Sequence, residues 1–489
     1  MDTQAVRSRT LRGLAWKGAS QVVLQVTRIA VLVLLARLLE PRDYGLAAMV
    51  LVFASFVLVF SDLALGAALV QRRSLDEHDR ATVFWTGAGA GVCFTLVGVA
   101  LSWPLASFYG EPDVQPLFAA LSLTFLLTAL GATQTALLTR EMDFRSLELR
   151  QMAATLAAAA VAISIAVAGG GAWAIIGQQL TLAAVATVLV WRFVSWRPSW
   201  RFSLESLRSL GSFSASIFAQ RLLYYSGRNV DNLLIGRFLG PAALGAYALA
   251  YNVMLMPFHQ IAGPIQQVMF PAFARLQDER ERMAHVWIRV TRMVAAVAAP
   301  ALLCLIVVAP EFVDVVLGQQ WDDATPVIRI LAWVGLLQSL MTVNGDVLMA
   351  LGRATTYLKF TAVWFVVNLA AFVVGLQWGI VGVAACYAVS SSFLEPMNAA
   401  LTARALGRPL REWAAGLAGV FQAAVLTAVI VWLVQAALIA QDVGPTARLA
   451  ILVVVGIAAY VVLARLRAAV VFEEIRAIRR GRAAQAATS

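Results

Sequence analysis

Residues Leu34–Gly45 read LLARLLEPRDYG, and residues Leu234–Gly245 read LIGRFLGPAALG, so the two stretches match at an offset of 200 residues. The aligned identities include Arg37 with Arg237, Leu39 with Leu239, Pro41 with Pro241 and Gly45 with Gly245. Upstream, Arg28 aligns with Arg228 in the same way. In each copy an apolar run ends, proline prevents the helix from continuing, and glycine permits the turn into the next run. The pattern predicts an internal duplication with one such turn in each copy.

The composition around these turns is that of a membrane protein. The chain has 489 residues, of which 61% are hydrophobic and 13% are charged, whereas a soluble domain has roughly 25% charged residues. The apolar excess also excludes a disordered chain. The three cysteines lie far apart in apolar runs, which excludes a disulfide framework and a cysteine metal site.

An apolar stretch of about 20 residues crosses the hydrocarbon core of a bilayer. Fourteen stretches meet this criterion, near 17–38, 44–66, 82–108, 115–138, 150–168, 172–194, 209–236, 242–268, 287–309, 326–350, 355–375, 378–400, 413–437 and 446–466. No connecting loop is long enough to hold a folded domain. The sequence therefore predicts an all-α integral membrane protein with about 14 transmembrane helices.

The orientation follows from the basic residues, which collect in cytoplasmic loops. With the N-terminus inside, the inner segments carry 30 of the 38 Lys and Arg residues, and the outer segments carry 5. An odd number of spans would place the Arg-rich tail outside. The predicted location is the cytoplasmic membrane, with both termini in the cytoplasm.

The duplication divides the predicted spans into two sets of six. Because six is even, both sets enter the membrane from the same side, which predicts parallel repeats around a central cavity. The predicted lobes are residues 1–200 and 201–410. Residues 411–467 form two additional helices, and residues 468–489 form a cytoplasmic tail.

Polar residues inside the spans are the candidate binding residues, because ionisable groups in lipid face a cavity or one another. The candidate cavity residues are Arg28, Asp62, Arg221, Arg228, Asp231, Asn232, Asn252 and His259. Further polar residues in the later spans are Asn344, Asp346, Asn368, Glu395 and Asn398. Helical spacing puts Arg221, Arg228 and Asn232 on one stripe.

Two interpretations of the arginines remain open at this point. In the first, they form a cationic cavity for an anionic headgroup, since the guanidinium fork donates two hydrogen bonds to a phosphate at once. In the second, they form internal locks, pairing Arg28 with Asp62 and Arg228 with Asp231.

Signals of an enzyme are weak. The chain has three histidines, no HExxH motif and no phosphate-binding loop, so we expect no catalytic residues, no metal and no organic cofactor. The neighbouring Asp322 and Asp323 are expected to form a solvated turn. No basic domain for nucleic acid is present, and the sequence does not choose between H⁺ and Na⁺ as a coupling ion.

Several segments resemble the polysaccharide transporter family, which includes O-antigen and colanic-acid flippases of the multidrug/oligosaccharidyl-lipid/polysaccharide superfamily. These segments are LLARLLEPRDYGLAAM, GAALVQRR, TREMDFRSLELRQ, GAWAIIGQQL, SWRPSWRFSLESLRSLGSF and RNVDNLLIGRFLGPAALGAYALAYNVMLMP. The resemblance covers residues 10 to 410. It implies alternating access, a lipid-diphosphate-linked oligosaccharide as cargo, membrane lipids as surroundings, and polymerase and export machinery as partners. It also implies headgroup contacts from basic cavity residues, which fall on Arg28, Arg221 and Arg228.

Two alternatives compete with a flippase that serves surface-polysaccharide assembly. A multidrug or cation antiporter of the same superfamily needs an acidic cavity, whereas these spans carry arginines. A membrane-embedded polymerase or ligase needs a sizeable extramembrane loop with catalytic side chains, which this sequence lacks.

The predicted orientation can be tested by single-cysteine labelling in intact cells. Cysteines at Glu111 or Asp442 should react with an impermeant reagent, whereas cysteines at Arg145 or Arg404 should react only after the membrane is opened. Labelling of position 404 in intact cells would contradict the fourteen-span arrangement.

Overall fold

A computed structural model gives the structure of residues 3–61, 69, 75–203, 229–474 and 476; the side chains of residues 3–19, 22, 55–61 and 257–268 lie outside it. The described residues are almost entirely helical, as the sequence predicts. The helices are α1 (Thr3–Leu38), α2 (Pro41–Ser61), α3 (Glu77–Tyr109), α4 (Val114–Arg140), α5 (Phe144–Val167), α6 (Trp173–Phe193), α7 (229–239), α8 (Pro241–Arg275), α9 (Arg280–Phe312), α10 (Ala324–Leu340), α11 (Asn344–Ala350), α12 (Ala354–Gly375), α13 (Gly379–Ala405), α14 (Leu410–Ala440) and α15 (Pro445–Arg467).

The helices coincide with the predicted spans. Every predicted span except 209–236 overlaps a described helix along most of its length, and residues 209–228 lie outside the described part of the chain. Within the described residues, nine helical segments are long and apolar enough to cross a membrane. The prediction of an all-α, multi-pass membrane protein is confirmed.

The predicted span 326–350 departs from a single straight helix. It is divided into α10 and α11 by a turn at residues 341–343. No proline causes the break. Instead, the Thr342 hydroxyl donates to the Ser339 carbonyl at 2.7 Å, and the buried Asn344 side chain accepts from Trp287 Nε1 at 2.8 Å. The first of these bonds is local and offers the backbone an alternative to the helical ladder, whereas the second ties the turn to α9.

The described contacts divide the chain into two compact units, Met1–Gly245 and Ala246–Ser489. The lobes predicted at 1–200 and 201–410, and their relation as parallel repeats, stay predictions. Each unit is described by itself below.

In the first unit, α1 packs against an alanine surface of α5. The buried residues of α5 are all alanine, at positions 154, 158, 159, 162 and 166. Val31 and Leu35 of α1 pack in the same cluster as Ala159, Ala162 and Ala166. Lipid chains are as apolar as these side chains, so helix association in a bilayer depends on close approach, which small residues allow.

Glycines bring α3 and α4 together in the same way. A Cβ at Gly98 would lie 2.2 Å from Ser122 Oγ, and a Cβ at Gly91 would lie 2.7 Å from Ala129 Cβ. Across this interface the Thr95 hydroxyl donates to the Ser122 carbonyl at 3.0 Å. The seam therefore excludes any side chain at residues 91 and 98.

The two copies of the repeated motif contact each other inside the first unit. A Cβ at Gly45 would lie 1.7 Å from the carbonyl oxygen of Pro241, and a Cβ at Gly245 would lie 1.8 Å from the carbonyl oxygen of Pro41. The prolines begin α2 and α8, where a missing N–H removes no helical hydrogen bond. The glycines that sequence analysis assigned to turns thus have a second role, because they form a reciprocal backbone contact.

In the second unit, α9 packs against α10, α14 and α15. Tyr460 of α15 donates its hydroxyl to the Ala296 carbonyl of α9 at 2.6 Å. The segment after α15 turns back onto the same helix, where Glu474 forms ion pairs with Arg292 and, at 3.6 Å, with Arg289. The two additional helices and the first residues of the tail are therefore anchored to α9.

We expect Gly98→Ala to destabilise the protein by about 1–3 kcal/mol, because the added methyl group overpacks the α3–α4 seam. Gly89→Ala, nine residues earlier in the same helix, is the matched control, since no atom lies within 4 Å of its added Cβ. Thermal unfolding of the purified protein in detergent measures both. Equal melting temperatures for the two variants would contradict the close packing of the seam.

Candidate functional site

Arg28 is the predicted cavity arginine that the structure describes. It lies on α1 in the stripe formed by Leu24, Val31 and Leu35, which are buried, yet its own side chain is exposed. Among the described residues it makes no hydrogen bond or ion pair. Ten residues separate it from Leu38 at the end of α1, or about 15 Å of helix rise.

The position of Arg28 constrains its surroundings. A charged side chain at the centre of a span costs about 2.5–3.5 kcal/mol on insertion scales, so at the centre of the predicted span 17–38 we expect Arg28 to meet water or an anion rather than lipid. The alternative lock with Asp62 lies outside the described residues, as do Arg221 and Arg228. His259 lies within α8, but its side chain also lies outside the described part of the structure.

Three further predicted residues are described. Asp231 is buried in α7, where its Oδ1 accepts the backbone N–H of Asn232 at 2.8 Å. Asn232 Oδ1 is buried and finds no donor among the described residues. Asn252 is exposed on α8 in the second unit. The structure places Asp231 beside Asn232 and leaves the rest of the predicted site as a prediction.

Sequence analysis missed a buried polar cluster in the second unit. Glu311, at the end of α9, is only 4% exposed. Its Oε1 lies 3.2 Å from Arg448 Nη1, and its Oε2 accepts from Gln435 Nε2 at 2.7 Å. The cluster joins α9, α14 and the start of α15. The feature of the sequence that indicates this cluster is a glutamate within an apolar run, directly after Pro310.

A second buried carboxylate, Glu395 of α13, is 5% exposed. Trp364 Nε1 of α12 donates to Glu395 Oε1 at 3.3 Å. One turn nearer the start of α13, Ser390 Oγ donates to Asn368 Oδ1 of α12 at 2.7 Å. Sequence analysis noted Glu395 as a polar residue inside a span but did not assign it to the cavity.

Comparison with known proteins decides the family. The model of the family described as "Polysaccharide biosynthesis protein" matches residues 34–326, which is more than half of the chain. The lipopolysaccharide biosynthesis protein WzxC of Escherichia coli (strain K12) is 30% identical over 387 residues, covering 78% of each chain. The chain belongs to the polysaccharide biosynthesis protein family. The resemblance seen in the sequence is confirmed.

Another relative of this family member is the succinoglycan biosynthesis transport protein ExoT of Rhizobium meliloti (strain 1021). It is 26% identical over 331 residues, covering 68% of this chain and 67% of ExoT. Among solved structures, the lipid II flippase MurJ in an inward closed conformation superposes with a TM-score of 0.74 at 12% identity, covering 92% of this chain and 98% of MurJ. The chain therefore shares its all-helical fold with this structure.

We expect Arg448→Ala to destabilise this family member by about 3–5 kcal/mol, because it leaves Glu311 buried without its cation. Adding Glu311→Gln should restore part of the loss, since the amide carries no charge. Thermal unfolding in detergent measures the effect.

Arg42→Ala is the control for this prediction. Arg42 is 49% exposed and pairs with Glu111 at 2.7 Å, and exposed pairs contribute about 0–1 kcal/mol. If Arg448→Ala and Arg42→Ala lower the melting temperature equally, the Glu311 cluster does not stabilise the helices it joins.

Proposed function

We propose that this protein is a flippase that moves polyprenyl-diphosphate-linked oligosaccharides across the cytoplasmic membrane for surface-polysaccharide assembly. Membership of the polysaccharide biosynthesis protein family carries the proposal, with one relative named for lipopolysaccharide biosynthesis and another for succinoglycan transport. The shared fold with a lipid II flippase supports transport rather than catalysis, as the sequence predicts.

The proposed cargo consists of a polyprenyl tail, a diphosphate and an oligosaccharide. This protein offers a binding partner for the charged part, the diphosphate. A diphosphate needs compensation of its charge before it enters a low-dielectric region. Arg28 is exposed at the middle of the predicted span 17–38 and is unpaired among the described residues, so its guanidinium is available for bidentate hydrogen bonds to phosphate oxygens. Arg228, its counterpart in the repeat, would hold the same diphosphate from a second direction.

We further propose the topology of the protein, its partners and the class of its coupling ion. Both termini lie in the cytoplasm, because the basic residues concentrate on the inner side. The cargo enters from the cytoplasmic leaflet and leaves on the outer face, where a polymerase and export machinery receive it. Transport proceeds by alternating access, with H⁺ or Na⁺ as the coupling ion.

Two other functions fit these observations less well. A drug antiporter shares the superfamily, but a cavity with an exposed arginine repels cationic drugs. A polymerase or ligase requires extramembrane catalytic residues, for which the chain has no sizeable loop.

Deletion of the gene separates these functions. For a flippase, lipid-linked oligosaccharide units accumulate on the inner leaflet and surface polysaccharide is lost. For a polymerase, single units still reach the outer surface. For a drug antiporter, polysaccharide stays normal and drug sensitivity rises. Labelling of the glycan on intact cells, together with extraction of the lipid-linked oligosaccharides, distinguishes the three functions.

We expect Arg28→Ala to lower export by about tenfold or more, since one lost charge-assisted bond is worth roughly 1.5–3 kcal/mol. Arg28→Lys should retain partial export, because the charge remains and the fork is lost. Complementation of the deletion strain, with protein abundance measured in parallel, tests both.

Arg411→Ala is the control, because Arg411 is exposed on α14 and makes no described ion pair. The lock hypothesis makes a different prediction, in which Arg28→Ala lowers abundance and Asp62→Ala restores it. Normal surface polysaccharide in an Arg28→Ala, Arg228→Ala double variant would refute headgroup binding by these arginines.

A further inference from the structure

The second unit contains two buried glutamates with opposite surroundings. Glu311 and Glu395 are 4% and 5% exposed. Glu311 lies 3.2 Å from a guanidinium nitrogen of Arg448 and also accepts from Gln435. Glu311 therefore lies in an ion-paired, hydrogen-bonded cluster that joins α9, α14 and α15.

Among the described residues, no cation pairs with Glu395. The charged residues on the helices packed against α13, and on α13 itself, are Arg329, Asp346, Lys359, Arg404, Arg411 and Glu412. None of them forms an ion pair with Glu395 in the described part of the chain. Arg329 instead donates its Nε to the Ile306 carbonyl at 3.2 Å. The partners of Glu395 are neutral: Trp364, and Asn398 one turn further along α13.

Two buried polar atoms near Glu395 are without a hydrogen-bond partner among the described residues. Asn398 Oδ1 and Ser391 Oγ are buried and find no hydrogen-bond partner among the described residues, although both lie on the same face of α13 as Glu395. Their residues are 7% and 0% exposed. Asn398 donates to the Glu395 carboxylate, as Trp364 does. The described surroundings of Glu395 therefore supply neutral donors and no paired cation.

We propose that Glu395 is a proton-binding site that couples proton movement to the transport cycle. This proposal rests on the proposed flippase function and assigns its coupling ion. With neutral partners alone, the ionised carboxylate is unfavourable in this buried environment. The ionised form is favoured only in a conformation that admits water, so binding of a proton and closure around α13 are thermodynamically linked.

Trp364 can hydrogen-bond to Glu395 in both the protonated and the ionised state of the carboxyl group. Its indole N–H donates to Glu395 Oε1 whether or not the carboxyl group is protonated, and it gains strength when the acceptor is charged. The residue thereby keeps the carboxyl group oriented while the proton leaves. Removing the indole N–H should therefore change the titration of Glu395 without removing the site.

The direct test is infrared spectroscopy of the full-length protein in lipid vesicles during a pH titration. We expect a protonated-carboxyl band that disappears as pH rises and that is absent from Glu395→Gln. Trp364→Phe should shift the titration, because it removes a hydrogen-bond donor to Glu395. Glu412→Gln, at an exposed position, should leave the band unchanged.

The functional test uses the same vesicles with a fluorescent polyprenyl-diphosphate oligosaccharide and an imposed pH gradient. For Glu395→Gln, we expect gradient-driven transport to fall at least about tenfold while binding of the probe is retained. If Glu395→Gln gives a low yield of folded protein, Trp364→Phe carries the test through its shifted pH dependence.

Three results would overturn the proposal. These are an unchanged carboxyl band in Glu395→Gln, gradient-driven transport equal to that of the wild type, or transport driven by a Na⁺ gradient at constant pH. Failure of the flippase function is a separate outcome. In that case the wild type moves no probe under any gradient, while the titration of Glu395 is still measured by its infrared band.

Discussion

The hydrocarbon core of a bilayer offers no water, so each backbone N–H and C=O must find its partner within the protein. Helices meet this requirement along their own length, which explains why the described chain is so nearly all helix. The same absence of water removes the usual hydrophobic drive between helices. The alanines of α5 and the glycines of α3 supply close packing in its place, because small residues let neighbouring helices gain dispersion contacts along their length.

The helices could be predicted from the sequence because hydropathy and helix length are local properties. The break in the span 326–350 could not, because it depends on the bond between Asn344 and Trp287, which are 57 residues apart. The candidate site shows the same division. Arg28 was recognisable as a charge inside an apolar run, whereas the pairing of Glu311 with Arg448 depends on how α15 returns to α9.

The two buried glutamates show why a residue type alone does not define a role. Each lies in an apolar segment and each is nearly inaccessible. Arg448 lies beside the first, whereas the second has only neutral partners among the described residues. The difference is a matter of neighbours from other helices. The same holds for the arginines of the predicted cavity. Pairing with an acid would make them structural residues, whereas pairing with the cargo would make them transport residues.

The contact between the repeated motifs has a consequence for how this family member evolves. Each glycine lies against the carbonyl of the other copy's proline, and no side chain takes part. A methyl group acquired by either copy collides with a main-chain atom that no substitution can shorten. While the other copy's proline carbonyl stays in place, each position therefore accepts only a residue without a side chain. Residues near 45 and residues near 245 are constrained by the same contact.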